Sequence, residues 1–98
     1  MVNQGEIITI TGIDIPMLVI SKNTYNKTGM LIACPIVKKK MDYTLSVHID
    51  TPALKGYVIC DSPRQFNWKK RGIFSKGSIP YKKLIQVLDM FNSIFDYV

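Results

Sequence analysis

The spacing of apolar residues changes once along this chain, and that change restricts the possible folds more than any other feature. In the closing segment "SIPYKKLIQVLDMFNSIFDYV", the residues Tyr81, Leu84, Ile85, Leu88, Phe91 and Phe95 recur at three- and four-residue steps. That spacing marks one face of an amphipathic helix. Ser78 is placed to cap it, and Pro80 to occupy its first turn, where a missing N–H costs little. Everything before it reads as short runs rich in β-branched residues, punctuated by Gly, Pro, Asn and Asp. Short strands followed by one helix predict an α+β domain. The expected architecture is a small, twisted antiparallel sheet, closed toward an SH3-like barrel, with a C-terminal helix packed on it.

The strands are expected at Glu6 to Thr11, Met17 to Ser21, Met30 to Val37, Tyr43 to Ile49 and Tyr57 to Cys60. Pro35 argues for an edge or a bulge within the third run. Phe66 to Trp68 reads as a further strand or a short helical turn, and Ile73-Phe74 as a short apolar pair. "KNTYNKTG" reads as a polar turn. The first two strands are joined by Gly12-Ile13-Asp14-Ile15-Pro16. Whether that joint is only a turn bears directly on function.

At 98 residues the chain is one domain, spanning 1–98. With 47% hydrophobic and 20% charged residues it has the material for a core. A net charge of +6 and a pI near 9.5 point to a polyanionic partner: nucleic acid, an acidic protein or an anionic membrane. The plainer use of such charge is solubility. Cys34 and Cys60 sit in apolar runs and read as buried thiols, not as a disulfide framework. With no CxxC and a single histidine, neither a metal site nor a cofactor is expected. No signal-peptide pattern opens the chain, and no apolar run is long enough to span a membrane. A reducing, cytoplasmic setting is the expectation.

The densest polar stretch is "DSPRQFNWKKR", Asp61 to Arg71. Basic groups beside aromatics suit single-stranded nucleic acid, with cations on phosphates and rings on bases. Arg64, Trp68, Lys69 and Lys70 are therefore candidate RNA contacts, set against a solvated loop whose tryptophan anchors it to the core. Lys38, Lys39 and Lys40 form a second basic cluster. Both clusters follow strands, so a common rim of the sheet is one way to bring them together. His48, within a strand, reads as structural. Asp14 reads as a turn-stabilising carboxylate.

The order of "GEIITIT", "PMLVIS", "TYNKTGMLIACPI" and "GYVICDSPRQFNWKKRG" resembles the MazF/PemK (Kid) family of toxin endoribonucleases. The resemblance runs over nearly the whole chain. It implies a compact barrel-like α+β fold, a homodimer and an antitoxin, often acidic, that covers the RNA groove. It also implies cleavage of single-stranded RNA without a metal, the ribose 2′-hydroxyl attacking the adjacent phosphate while an acid and a base move protons.

The chain departs from that pattern at the positions that matter most. The family's arginine before the proline of the second strand is here Ile15, and its threonine two residues after the proline of the third segment is here Val37. The long loop between the first two strands is reduced to "GIDI". Asp61 matches an acidic residue some members use, Arg64 matches the basic position of that segment, and Ser62 replaces the usual glutamine. Asp61 and Arg64 are thus the expected catalytic candidates. Three functions stay open: a toxin ribonuclease with a rearranged site, a non-cleaving relative that binds RNA or an antitoxin, and a gyrase-directed toxin like the related CcdB family, acting through the C-terminal "NSIFDYV".

Overall fold

The structure, a computed structural model, describes residues 2–42 and 45–95. Seven strands and two helices follow in order: β1 Glu6–Ile10, β2 Ile13–Val19, α1 Asn23–Asn26, β3 Met30–Val37, β4 Ser46–Asp50, β5 Lys55–Ile59, β6 Arg64–Asn67, β7 Ile73–Ser78 and α2 Tyr81–Ser93. All the strand pairs are antiparallel, in the order β4-β5-β3-β2-β1-β7, with β6 also paired to β3. This is the α+β sheet-and-helix architecture expected from the sequence. The start of the fourth expected strand, 43–44, and the chain end, 96–98, lie outside the described residues.

β3 holds the fold together. One edge pairs with β2, while the other pairs with β6 at Met30–Ala33 and with β5 at Ile36 and Val37. Pro35 sits at this change of partner, where a residue without an N–H disrupts a ladder least. That place accounts for a proline inside a central strand; β3 is not an edge.

A strand buried on both faces reads as a near-continuous apolar run, and "MLIACPIV" is one. Alternation along the strands sends residues to two separate cores. Leu18, Cys34, Ile36, Ile49 and Val58 join Leu84 and Val87 under α2. Ile8, Ile10, Met17, Val19, Leu31, Ala33 and Phe66 fill the other, curled face.

Several local expectations are corrected. The joint between the first two strands is not five residues but two: Thr11 and Gly12 make the turn, and β2 already begins at Ile13, opposite Ile10. Gly12 takes φ +87°, a conformation that disfavours any side chain. Asp14, Ile15 and Pro16 are therefore strand residues. The expected polar turn carries the one-turn helix α1. Both alternatives for Phe66 to Trp68 are used, because β6 runs directly into a 3-10 turn at Trp68–Lys70.

The helix forms as its spacing predicts, but its ends and face differ in detail. Ser78 ends β7, opposite Glu6, instead of capping the helix, and Pro80 takes the N-cap position. The buried stripe is Leu84 and Val87, flanked by Leu88, Met90 and Phe91. Burying the two central side chains contributes roughly 1.5–3 kcal/mol each. Tyr81 at the first residue and Phe95 beyond the last turn are 74% and 65% exposed. Ile85 lies one step round the helix from Leu84 and stays on the outer side.

A buried amide ties α1 to the sheet. Asn26 is fully buried; its Nδ2 donates to Ser21 O at 3.0 Å and Val2 O at 3.4 Å, and its Oδ1 accepts from Ser21 Oγ. Its backbone oxygen accepts from Trp68 Nε1 at 2.8 Å. Asn26→Ala keeps the backbone bond to Trp68 but leaves Ser21 O and Val2 O without the amide donor, at a cost of about 1–3 kcal/mol for a buried group left unsatisfied. A fall of that size in unfolding free energy, measured with urea, is expected.

Both thiols are buried, as their apolar settings imply. Burial pushes Cys34 up to about 12, with Cys60 and Asp61 adding to the shift, and pushes Cys60 up to about 11, with Asp61 adding. The folded protein keeps these protons longer than the unfolded chain. The associated stability is therefore complete below the ordinary thiol value of 9.0 and is lost as pH rises toward 11–12. Urea midpoints are expected to drop across that window, with a shallower drop in Cys34→Ala than in the wild type.

Candidate nucleic-acid interface

The site is assembled around β3. Met17 lies opposite Pro35, and continuing the register sets Ile15 opposite Val37. The positions where the resemblance expects arginine and threonine thus meet across two neighbouring strands. They line one open groove of about 240 Å³ with Asp14, Pro16, Ile36, Lys38, Leu54 and Lys55. Its lining is mostly aliphatic, and its charged members are one carboxylate and two ammonium groups. β5 comes close here because Gly56 has no side chain: a Cβ would stand 2.6 Å from Val37 O. The close approach brings Lys55, next in sequence, to the groove.

Asp61 and Arg64 lie elsewhere on the same strand. Asp61 follows Cys60 at the turn between β5 and β6, close enough for its charge to act on both thiols. Arg64 is exposed and pairs with Ala33. Val37 is four steps along β3 from Ala33, roughly 13 Å at the usual rise per residue. Asp61 and Arg64 are therefore neighbours of the groove and not part of its lining.

The two lysine clusters are not brought to one rim. Lys38, Lys39 and Lys40 follow the end of β3, whereas the Lys69 stem lies against Gly29, just before its start. They are separated by the length of β3, roughly 23 Å. The relation looked plausible in sequence because both follow strands; β6 runs antiparallel to β3 and delivers its own end to the opposite side. Trp68 is half-buried, packs on the curled-face core and spends its N–H on Asn26 O.

His48 is exposed on β4 and meets Tyr57 at a centroid distance of 5.0 Å. Among the described residues, no group of three or more His, Cys, Asp or Glu side chains is arranged to hold a metal ion.

Asp14 and Lys55 are the groove residues that sequence reasoning passed over. Asp14 was obscured by the apparent turn around it. Lys55 carries no motif, and its place follows only from the close packing of Gly56 on β3. Arg71 was likewise submerged in a basic run, although its guanidinium lies 5.6 Å from the Phe66 ring centroid, beside Arg64 at 5.3 Å.

Comparison with curated protein sequences gives no significant match. The fold is similar to a chain of the MazE–MazF complex from Deinococcus radiodurans, at TM-score 0.86 and 25% identity, over 96% of this chain and 95% of that one. Another form of the same complex gives TM-score 0.85 and 26% identity, over 96% and 94%. An endoribonuclease in complex with its cognate antitoxin, from a mycobacterial species, shares the fold at TM-score 0.83 and 17% identity, over 97% and 95%. The family model described as PemK-like, MazF-like toxin of type II toxin-antitoxin system matches residues 4–95. Nearly the whole chain is thereby accounted for, and it belongs to the PemK/MazF toxin family.

Proposed function

We propose that this protein is the toxin of a type II toxin-antitoxin pair, a cytoplasmic homodimer that cleaves single-stranded RNA without a metal and is restrained by an acidic antitoxin. One observation carries the reading. In this toxin fold, the two positions expected to hold catalytic groups meet in an open groove, and that groove is flanked by Lys38, Lys55 and Asp14. A carboxylate beside two cations is a workable set for attack by a ribose 2′-hydroxyl. Asp14 takes the hydroxyl proton as the 2′-oxygen bonds to phosphorus; the bond from phosphorus to the 5′-oxygen breaks, and water supplies the proton with which that oxygen leaves. Lys38 and Lys55 balance the charge that grows on the phosphate oxygens. Lysine does this as a point charge, without the two-pronged geometry of arginine. Asp61 and Arg64 contact the strand further along β3.

A second reading is favoured by Ile15 and Val37 themselves. Isoleucine offers no cation, and valine has threonine's shape without its hydroxyl. A preorganised donor is worth about 2.7–4 kcal/mol of transition-state stabilisation, or 10²–10³ in rate. A protein lacking both would bind RNA or antitoxin without cutting.

Incubation with a long unstructured RNA in EDTA, followed by primer extension, separates these readings. Discrete cuts are expected in the wild type and not in Asp14→Asn. Cuts lost only in Asp61→Ala would move the chemistry to the turn between β5 and β6. Intact RNA that is nevertheless bound would establish the non-cleaving reading. In the double variant Ile15→Arg, Val37→Thr, cleavage is expected to rise by about 10² or more, since the fold already sets these positions side by side.

A further inference from the structure

Two free thiols meet at the corner where β3 changes partner. Ile36 pairs with Val58 and Val37 with Tyr57, and the same register carried two residues further sets Cys34 opposite Cys60. Both side chains belong to the core beneath α2, so they leave the sheet on one face. Contact is direct, because Cys34 Sγ donates to Cys60 O at 3.8 Å. Cys60 N–H donates to Leu45 O at 2.7 Å and therefore points toward β4, away from β3. Toward β3, Cys60 thus holds a non-hydrogen-bonded position, where facing Cα atoms of antiparallel strands stand about 4.5 Å apart. A disulfide spans Cα separations of about 4.4–6.8 Å. The strands are already at bridging distance, and only rotation of the side chains is left to bring the sulfurs together.

A buried cysteine is ordinarily a small apolar residue, and either thiol alone would count as one. Their facing positions add chemistry that neither has by itself. The corner also gives access: Cys60 directly precedes Asp61, Ser62 and Pro63, all exposed, in a turn closed by Ser62 N on Ile59 O at 3.3 Å. Opening that turn uncovers Cys60 first. We infer that Cys34 and Cys60 form a modification site, a dithiol that a hydroperoxide converts to a cross-strand disulfide joining β3 to β5. Cys60 gives its proton to water and its thiolate attacks one peroxide oxygen. The O–O bond breaks, the departing oxygen is protonated to water, and Cys60 becomes a sulfenic acid. Cys34 then attacks that sulfur: the S–S bond forms, the S–O bond breaks, and the hydroxyl leaves with the Cys34 proton as a second water. The two thiols give up two electrons and the peroxide O–O bond accepts them. Burial keeps both thiols protonated, so the reaction is slow near neutral pH and quickens as pH rises. The bridge closes the loop from Cys34 to Cys60, restricts the unfolded chain and stabilises the folded one.

The test is exposure of the purified full chain to hydrogen peroxide over a range of pH, followed by intact mass, alkylation under denaturing conditions and peptide mapping. The wild type is expected to lose the mass of two hydrogen atoms, to lose both alkylatable thiols together and to yield a linked Cys34–Cys60 peptide, faster at higher pH. The oxidised form should unfold at a higher urea concentration than the reduced form, and dithiothreitol should reverse both changes. Cys34→Ala and Cys60→Ala, which keep small apolar side chains in the core, should instead gain oxygen at the remaining thiol. Wild-type protein that gains oxygen without an internal cross-link, or that joins to a second chain, would overturn the pairing. So would thiols that stay intact when dilute urea opens the corner. An internal disulfide with an unchanged urea midpoint would overturn the stabilising bridge. These readouts do not involve RNA, so they stand or fall separately from the function proposed above.

Discussion

The double pairing of β3 is the constraint on which the other parts depend. A strand that keeps one partner on one edge and changes partner on the other cannot lie in a flat sheet. The β6 half bends toward the curled face, and the β5 half continues toward β4 and the helix. Both faces of the strand are then covered, which is why its sequence is apolar almost throughout. The change of partner falls at the proline, and the turn carrying Asp61 crosses the same break. Cys34, Pro35 and Asp61 thus share a corner that neither half of the sheet would create alone.

This arrangement sets out the charged groups in a line. The groove lies at the end of β3 that faces β2 and β5. The arginine pair lies toward the beginning, where β6 crosses. The lysines of the 3-10 turn lie beyond that, past Gly29. The cations come from β5, β6, the 3-10 turn and the loop after β3, while β3 itself is apolar throughout. An extended polyanion fits such a track better than a compact one, because its charges are also regularly spaced along a line.

The groove itself combines two chemistries. Ile15, Pro16, Ile36, Val37 and Leu54 line it with aliphatic groups, and Asp14, Lys38 and Lys55 with charged ones. Ile15 and Val37 can neither donate a hydrogen bond from their side chains nor hold a charge. The charged groups are a single residue away in sequence: Asp14 precedes Ile15, and Lys38 follows Val37.

The sequence by itself determined the elements and their class. Period-two runs and one three-to-four-residue stripe are local consequences of strand and helix geometry, so the strands, the terminal helix, the buried thiols and the apolar character of β3 were legible. The order of short segments was enough to connect the chain with its toxin family. Tertiary structure alone decided what meets what. The opening joint looked like a five-residue turn because Gly12 and Pro16 both read as breakers, yet register with β1 and β3 makes one of them the turn and the other a strand residue. Lysine clusters that looked equivalent were sent to opposite ends of β3 by antiparallel pairing. Lys55 reached the groove through the missing side chain of Gly56, and Arg71 reached Arg64 through a ring shared across a 3-10 turn. Such relations depend on registers between distant segments, and local propensity carries no information about them.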